Sequence, residues 1–189
     1  MELVSEAIEF AVKAHDGMRR KKSEVPYILH PLEVAVIVGS MTSDQNVIAA
    51  AVLHDVVEDA NIKIEEIEKK FGKRVTELVS AETENKREEL PADQTWLIRK
   101  EESLKKLENT NDLDVIIVWL GDKLSNMRSI YHEWSKSGDK MWDNFNQKDV
   151  NAQAWYYNSI LKLTERLSNT IAWQEYKTLT KLVFNREVK

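Results

Sequence analysis

The stretch NVIAAAVLHDVVED, residues 46–59, constrains the fold of this chain more than any other. Its first half is apolar on every side, and Ser43 or Asp44 stands just before it, where a helix cap belongs. A helix that is hydrophobic all round is normally buried, because none of its faces suits contact with water. We therefore predict a central, buried helix from Asn46 to about Asp59, whose second half carries polar side chains.

Helical spacing of apolar residues continues on both sides of this stretch. Five Gly and three Pro in the whole chain also favour long helices over a turn-rich β fold. We predict an all-α fold, a single-domain helical bundle over residues 1–189. Polar loops are expected at 82–95 and 135–146. The other predicted helices span 2–15, 31–39, a pair within 64–79 divided at Gly72, 96–107, 113–134, and one or two helices within 149–184.

The composition excludes several classes of protein. Without cysteine, any bound metal must be held by His, Asp, Glu or neutral oxygen atoms. The net charge of −5 disfavours a nucleic-acid partner, whose binding needs a basic surface. The sequence opens without a signal peptide and has no apolar run near the ~20 residues that span a bilayer. We expect a cytoplasmic protein that does not attach to membranes.

Two imidazoles and two carboxylates, drawn from three separate helical segments, form a candidate metal site. His54 and Asp55 follow a strongly apolar run, and so does Asp122, while His30 precedes Pro31. Burying carboxylates in apolar surroundings is costly unless a cation offsets their charge. Mixed imidazole and carboxylate ligands with open positions suit Mn²⁺ or Fe²⁺ better than a closed structural zinc site. These features predict a metal-dependent hydrolase.

A second acidic pair, Glu58 and Asp59, lies one helical turn after His54 and Asp55. Residues four apart on a helix share a face, so this pair is expected beside the ligands, where it can handle a water molecule. Taken singly, each candidate also has a structural explanation. A histidine before proline often caps a helix, a buried aspartate often forms an ion pair, and an acidic pair often lies in solvent. The ordered set favours a site.

Four motifs together resemble a known family. They are AxxAHxGxRRK (11–21), PYILHP (26–31), LHDVVED (53–59) and DKLSNMR (122–128). The pattern His, His-Asp, Asp is that of the HD-domain metallophosphohydrolases. The wider motifs resemble the hydrolase domain of the RelA/SpoT family, and the length is similar to that of the stand-alone small alarmone hydrolases. Gly121 departs from the family, which usually has Ala before the last ligand, and this raises a question about local helix stiffness.

The resemblance implies the hydrolysis of (p)ppGpp at the ribose 3′ position to GDP or GTP and pyrophosphate. A single Mn²⁺ would be held by His30, His54, Asp55 and Asp122. The attacking water would be oriented and deprotonated by Glu58 and Asp59. Arg20 and Lys21 would contact the guanine base and the phosphates, and Asn126 and Ser129 would line the nucleoside pocket. Weaker candidates for substrate contacts are Lys86, Arg99, Lys100 and Tyr156, the last by stacking on the base.

Two other functions fit the same residues. An HD phosphohydrolase could act on another nucleotide, such as an adenosine alarmone or NADPH, which also carry a ribose phosphate near a diphosphate. A non-catalytic nucleotide-binding or antitoxin-like protein is the second alternative, but such a protein has no need of Glu58 and Asp59. Because the chain has no room for the synthetase domain of the long bifunctional enzymes, we expect hydrolysis only.

Overall fold

The computed structural model describes residues 2–20, 23–87 and 89–184, and over these residues the fold is all-α. The described residues contain no β structure beyond one isolated antiparallel bridge between Arg19 and Pro26. The fold class predicted from the helical periodicity is therefore confirmed. Within the described part of the chain, no helix combines the length and the apolar character that crossing a membrane requires.

The backbone divides into two compact units. The first unit comprises residues up to Glu84 together with Thr110–Asp122, and the second comprises Asn85–Asn109 and the residues from Lys123 onward. The chain passes between the units at three points, and one of them falls inside the long helix α8 (Leu113–Ser137). Whether the chain is one domain in the functional sense remains a prediction.

The first unit is built around the apolar stretch of residues 47–53. Helix α3 (Gln45–Leu53) contacts α1 (Leu3–Ala14), α2 (Leu29–Gly39) and α6 (Lys73–Glu82). Residues Ala49–Leu53 have no exposed surface. Small alanine side chains allow these neighbouring helices to approach α3 closely, which makes it the centre of the unit. Its helices are α1 (Leu3–Ala14), α2 (Leu29–Gly39), α3 (Gln45–Leu53), α4 (Val56–Asp59), α5 (Ile64–Phe71), α6 (Lys73–Glu82) and the start of α8 (Leu113–Ser137).

The prediction of one continuous helix from Asn46 to Asp59 is wrong. Helix α3 ends at Leu53, and the one-turn helix α4 begins only at Val56. The His54 ring nitrogen Nδ1 lies 2.8 Å from the carbonyl oxygen of Ala51, three residues earlier. This side chain thus bonds to the backbone within the last turn of α3, a competing local contact of the kind that accompanies helix ends. Periodicity alone does not reveal such a break.

The second unit contains α7 (Ala92–Asn109), the rest of α8, α9 (Val150–Leu163) and α10 (Ile171–Phe184). The loop expected over 82–95 is shorter than predicted, because α6 ends at Glu82 and α7 begins at Ala92, four residues before the expected Trp96. The segment predicted as a loop over 135–146 instead holds a 3₁₀ helix, Gly138–Asn144. Its Met141 and Trp142 are buried, and Trp142 stacks on Phe184. Packing of these apolar side chains orders a segment whose sequence lacks helical periodicity.

Candidate metal centre

Four side chains of the first unit converge on one point. His30 comes from the first turn of α2, His54 from the end of α3, Asp55 from the break before α4, and Asp122 from α8. His30, His54 and Asp122 are buried, each at most 5% exposed. The three segments that were expected to supply ligands are therefore brought together by the fold.

The ligand atoms are close enough to share one ion. One such atom from each of His30, His54 and Asp122 lies within 4.8 Å of the other two. His30 Nε2 is 3.1 Å from Asp122 Oδ1, and His54 Nε2 is 3.0 Å from Asp55 Oδ2. The two other histidine–aspartate distances are longer: His30 Nε2 is 3.6 Å from Asp55 Oδ2, and His54 Nε2 is 3.7 Å from Asp122 Oδ1. Imidazole and carboxylate ligands arranged in this way suit a divalent metal ion.

The tautomer of His54 provides a test of whether a metal fits. The carbonyl oxygen of Ala51 can only accept, so Nδ1 must carry the proton that bonds to it at 2.8 Å. In a neutral ring, Nε2 then presents a lone pair to Asp55 Oδ2. Two lone pairs facing each other across a buried contact need a cation between them. Metal-bound histidines typically donate the other ring proton to a carbonyl in the same way.

The electrostatics of the cluster agree with this chemistry. Burial lowers the pKa of His54, but the nearby Asp55 and Asp122 carboxylates outweigh burial and hold that pKa well above its usual range. Burial raises the pKa of Asp55, yet the His54 and His30 imidazoles more than offset this and keep it well below its usual range. In the absence of a metal, a proton on His54 supplies the positive charge that the two carboxylates require.

Glu58 and Asp59 lie on α4, directly after the break, and both are half-buried. The Glu58 carboxylate accepts a hydrogen bond from the backbone N–H of Glu84, at 3.3 Å. Asp59 Oδ2 lies 2.6 Å from the hydroxyl of Tyr27, which is also 2.6 Å from Asp55 Oδ2. The second acidic pair is thus connected to the ligand cluster through Tyr27, a link that was not predicted from helical spacing.

Two further residues of the first unit were candidates for substrate binding. Arg20 is half-buried, and its guanidinium carbon lies 5.8 Å from the centre of the Tyr27 ring. This places its positive charge near the residue that contacts Asp55 and Asp59. Lys21, the other candidate, lies outside the described residues.

The remaining substrate candidates lie in the second unit. Asn126 is half-buried and Ser129 is exposed, both on α8, while Lys86 precedes α7. Tyr156 is only 3% exposed and contacts Trp96, with Lys100 Nζ 5.0 Å from the centre of its ring. Arg99 is half-buried on α7. The contacts of Tyr156 with Trp96 and Lys100 are those of a core aromatic residue. A role toward substrate for any of the residues in this second unit remains a prediction.

Tyr27 and His15 lie within the sequence motifs, but no role was predicted for either of them. His15 is 2% exposed, and neither of its ring nitrogens has a hydrogen-bond partner among the described residues. Its ring lies 5.0 Å from that of Tyr27. Burial lowers the pKa of His15, partly opposed by the Asp55 and Asp59 carboxylates. The position of Tyr27 three residues before His30 was the available signal, since that spacing spans about one helical turn.

A comparison with protein families defines the class of protein. The model of the HD domain matches residues 7–146, which is most of the chain and includes all four residues of the cluster. The chain therefore belongs to the HD-domain family.

The chain is also similar in sequence to individual proteins of known description. The chain is 36% identical over 130 residues to a guanosine-3′,5′-bis(diphosphate) 3′-pyrophosphohydrolase of Aquifex aeolicus, covering 69% of this chain and 18% of that protein. It is 34% identical over 134 residues to a GTP pyrophosphokinase of Myxococcus xanthus, covering 70% of this chain and 18% of that protein. The chain thus spans less than a fifth of the length of these curated relatives.

A solved structure shares the fold over almost the whole chain. It is that of a metazoan ortholog of SpoT, described as hydrolysing ppGpp and acting in starvation responses. The two superpose with a TM-score of 0.75 over 96% of each chain, at 24% sequence identity.

Proposed function

We propose that this chain is a metal-dependent 3′-pyrophosphohydrolase that converts (p)ppGpp to GDP or GTP and pyrophosphate. The observation that carries the proposal is the cluster of His30, His54, Asp55 and Asp122. Asp59 is linked to this cluster through the hydroxyl group of Tyr27. The names of the Aquifex relative and of the SpoT ortholog support the choice of substrate. A GTP pyrophosphokinase is also among the relatives. The choice of hydrolysis over pyrophosphate transfer therefore rests on the acidic residues of the site.

The four clustered side chains would hold one divalent ion, Mn²⁺ or, as an alternative, Fe²⁺. When bound, such an ion lowers the pKa of water and withdraws charge from a phosphoryl oxygen. The Asp59 carboxylate, with Glu58, accepts the proton of the attacking water. The water oxygen bonds to the phosphorus attached to the ribose 3′ oxygen. The bond between that phosphorus and the ribose 3′ oxygen breaks, pyrophosphate is released, and the 3′ oxygen takes up the proton that the acidic pair accepted from the water.

Basic side chains are needed to hold a polyanionic substrate while this reaction proceeds. Arg20 is the candidate whose position in the first unit supports that role, because it lies against Tyr27. The roles proposed for Lys21, Asn126, Ser129, Lys86, Arg99, Lys100 and Tyr156 await substitution experiments. A cytoplasmic location and a single functional domain are parts of the same proposal.

The test is turnover by metal-stripped protein to which Mn²⁺ is restored. We expect Mn²⁺-dependent release of GDP and pyrophosphate from ppGpp, lost in Asp122→Ala and kept in Glu133→Ala, an exposed acid of the same helix. NADPH and an adenosine alarmone are assayed in parallel. Turnover of one of these but not of ppGpp would retain the metal site and overturn the alarmone assignment. Nucleotide binding without turnover of any substrate would favour a non-catalytic protein.

A further inference from the structure

Tyr27 occupies a central position in the site, although neither its motif nor its chemistry marks it as a ligand. Its hydroxyl oxygen lies 2.6 Å from Asp55 Oδ2 and 2.6 Å from Asp59 Oδ2. Its backbone carbonyl accepts a hydrogen bond from the N–H of His30 at 2.9 Å, at the start of α2. One residue therefore contacts two of the proposed ligands and one of the proposed water-handling carboxylates.

The ring of Tyr27 is held by neighbours in fixed places. The His15 ring lies 5.0 Å away and the His30 ring 6.0 Å away, measured between ring centres. The guanidinium group of Arg20 lies 5.8 Å from the same ring. These contacts limit the rotation of the side chain, so the hydroxyl has a defined position between the two carboxylates.

A phenol hydroxyl carries one proton and can donate it to only one carboxylate at a time. At neutral pH a tyrosine hydroxyl keeps that proton on its oxygen. Whichever carboxylate does not receive it faces an oxygen lone pair at 2.6 Å. That contact is repulsive unless a positive charge reduces the electron density on one of the carboxylates.

We propose that Tyr27 is a positioning residue that links the ligand Asp55 to the water-handling residue Asp59. Asp55 would share its charge with a divalent ion bound at the cluster, which leaves Asp59 as the carboxylate to which the Tyr27 hydroxyl donates its proton. This hydrogen bond holds the Asp59 carboxylate beside the ligands in a single orientation. The inference rests on the proposed function for the role of Asp59, but the link between Tyr27 and the metal ligands is independent of the substrate.

The experiment compares Tyr27→Phe with Tyr176→Phe. Both changes remove a phenol hydroxyl and keep the ring, and Tyr176 loses a buried hydrogen bond to the Tyr157 carbonyl in the second unit. Mn²⁺ affinity is measured on metal-stripped protein by the loss of the free Mn²⁺ electron paramagnetic resonance signal, without nucleotide. We expect Tyr27→Phe to bind Mn²⁺ roughly 10-fold more weakly than wild type, as is typical when a residue that orients a ligand is lost. Tyr176→Phe should bind as wild type does.

A double-mutant cycle with Asp59→Asn tests whether Tyr27 acts through Asp59. At saturating Mn²⁺, Tyr27→Phe should lower kcat for ppGpp about 10- to 100-fold with KM within about twofold. In the Asp59→Asn background the same change should lower kcat no further. Circular dichroism melting curves establish that each variant is folded at the assay temperature.

Wild-type Mn²⁺ affinity in Tyr27→Phe would overturn the proposal, and so would equal weakening in Tyr176→Phe. Independent, multiplicative losses in the cycle would also overturn it, because they would show that Tyr27 does not act through Asp59. If wild type binds Mn²⁺ but does not turn over ppGpp, the proposed function fails. The Tyr27 inference is then decided by the affinity measurement alone.

Discussion

Gly121 and Val38 approach so closely that position 121 has no room for a side chain. A Cβ atom built on Gly121 would lie 2.7 Å from Val38 Cγ2 and 3.3 Å from Val34 Cγ1. Valine is short and stiff at χ1, so neither side chain can move aside easily. Gly121 precedes Asp122 on α8, and Val34 follows His30 on α2 by one turn. The close contact of the two helices therefore holds these two ligands at 3.1 Å.

Replacing Gly121 with alanine should push α8 away from α2 and separate Asp122 from His30. Alanine contributes up to about 1 kcal/mol of helix propensity over glycine. Overpacking costs about 1–3 kcal/mol, so we expect a net loss of stability on the order of 1 kcal/mol in urea unfolding. Mn²⁺ affinity should fall as well. Gly39→Ala is the control, since its Cβ would meet only Ile48 at an ordinary 3.9 Å. Equal Mn²⁺ affinities in the two variants would contradict the packing argument.

The double change Glu58→Gln and Asp59→Asn separates catalysis from binding. It keeps the size of both side chains and removes the groups that accept a proton. General acid–base catalysis contributes roughly 10²- to 10⁴-fold, so we expect kcat to fall by that order. Binding of ppGpp, measured by calorimetry with Mn²⁺ present, should change by no more than a few fold. If binding is lost together with turnover, the acidic pair is structural.

Asp44 should stabilise α3, the helix that ends just before His54, in a pH-dependent way. Its carboxylate accepts from the backbone N–H of Asn46 at 2.8 Å. This hydrogen bond holds the pKa of Asp44 below its usual value. Because the pKa is lowered in the folded state, the charged cap contributes fully to the free energy of unfolding above about pH 4. That contribution is lost as the pH falls through the folded-state pKa. Asp44→Ala should cost about 1 kcal/mol at neutral pH and progressively less in acid, as followed by urea unfolding.

Asparagine caps helices as well as aspartate but does not titrate. Asp44→Asn is therefore the matched variant for this prediction. Its stability should stay close to that of wild type at neutral pH and should lack the acid-dependent loss that Asp44 contributes. A pH profile identical to wild type would show that Asp44 is not the titrating group.

Arg74 joins the start of α6 to the start of α8 within the first unit. Its guanidinium donates to both carboxylate oxygens of Asp112, at 2.6 and 2.9 Å, and to Asp114 at 2.5 Å. Asp112 also accepts from the backbone N–H of Asp114, at the beginning of α8. Arg74→Gln should cost about 1 kcal/mol of unfolding free energy, a modest value because these side chains are partly exposed.

The neighbouring Lys73 provides the control for Arg74. Its side chain is 82% exposed and pairs with Glu77 at 3.7 Å. Lys73→Gln should change stability by less than about 0.5 kcal/mol, as exposed substitutions usually do. High salt should reduce the loss in Arg74→Gln, because screening weakens the ion pairs in the wild type. A larger effect of Lys73 than of Arg74 would contradict the prediction.

Much of the fold could be predicted from local pattern. The apolar run 47–53 predicted a buried central helix, and Gly72, with φ of 83°, divides α5 from α6 as expected. The membership of the HD-domain family was also indicated by the ordered motifs. These features are determined by the sequence itself, because helical periodicity, turn-forming glycine and the order of residue types along the chain are local properties.

The site geometry was decided only by the tertiary structure. At the end of α3 the His54 side chain bonds to the backbone carbonyl of Ala51, a contact that periodicity does not register. Tyr27 meets Asp55 and Asp59 across 28 and 32 residues of chain. Gly121 is explained by its contact with valines more than eighty positions away in sequence. Contacts between residues so far apart in sequence follow from how whole helices pack. That packing depends on the shape of all the side chains between the helices.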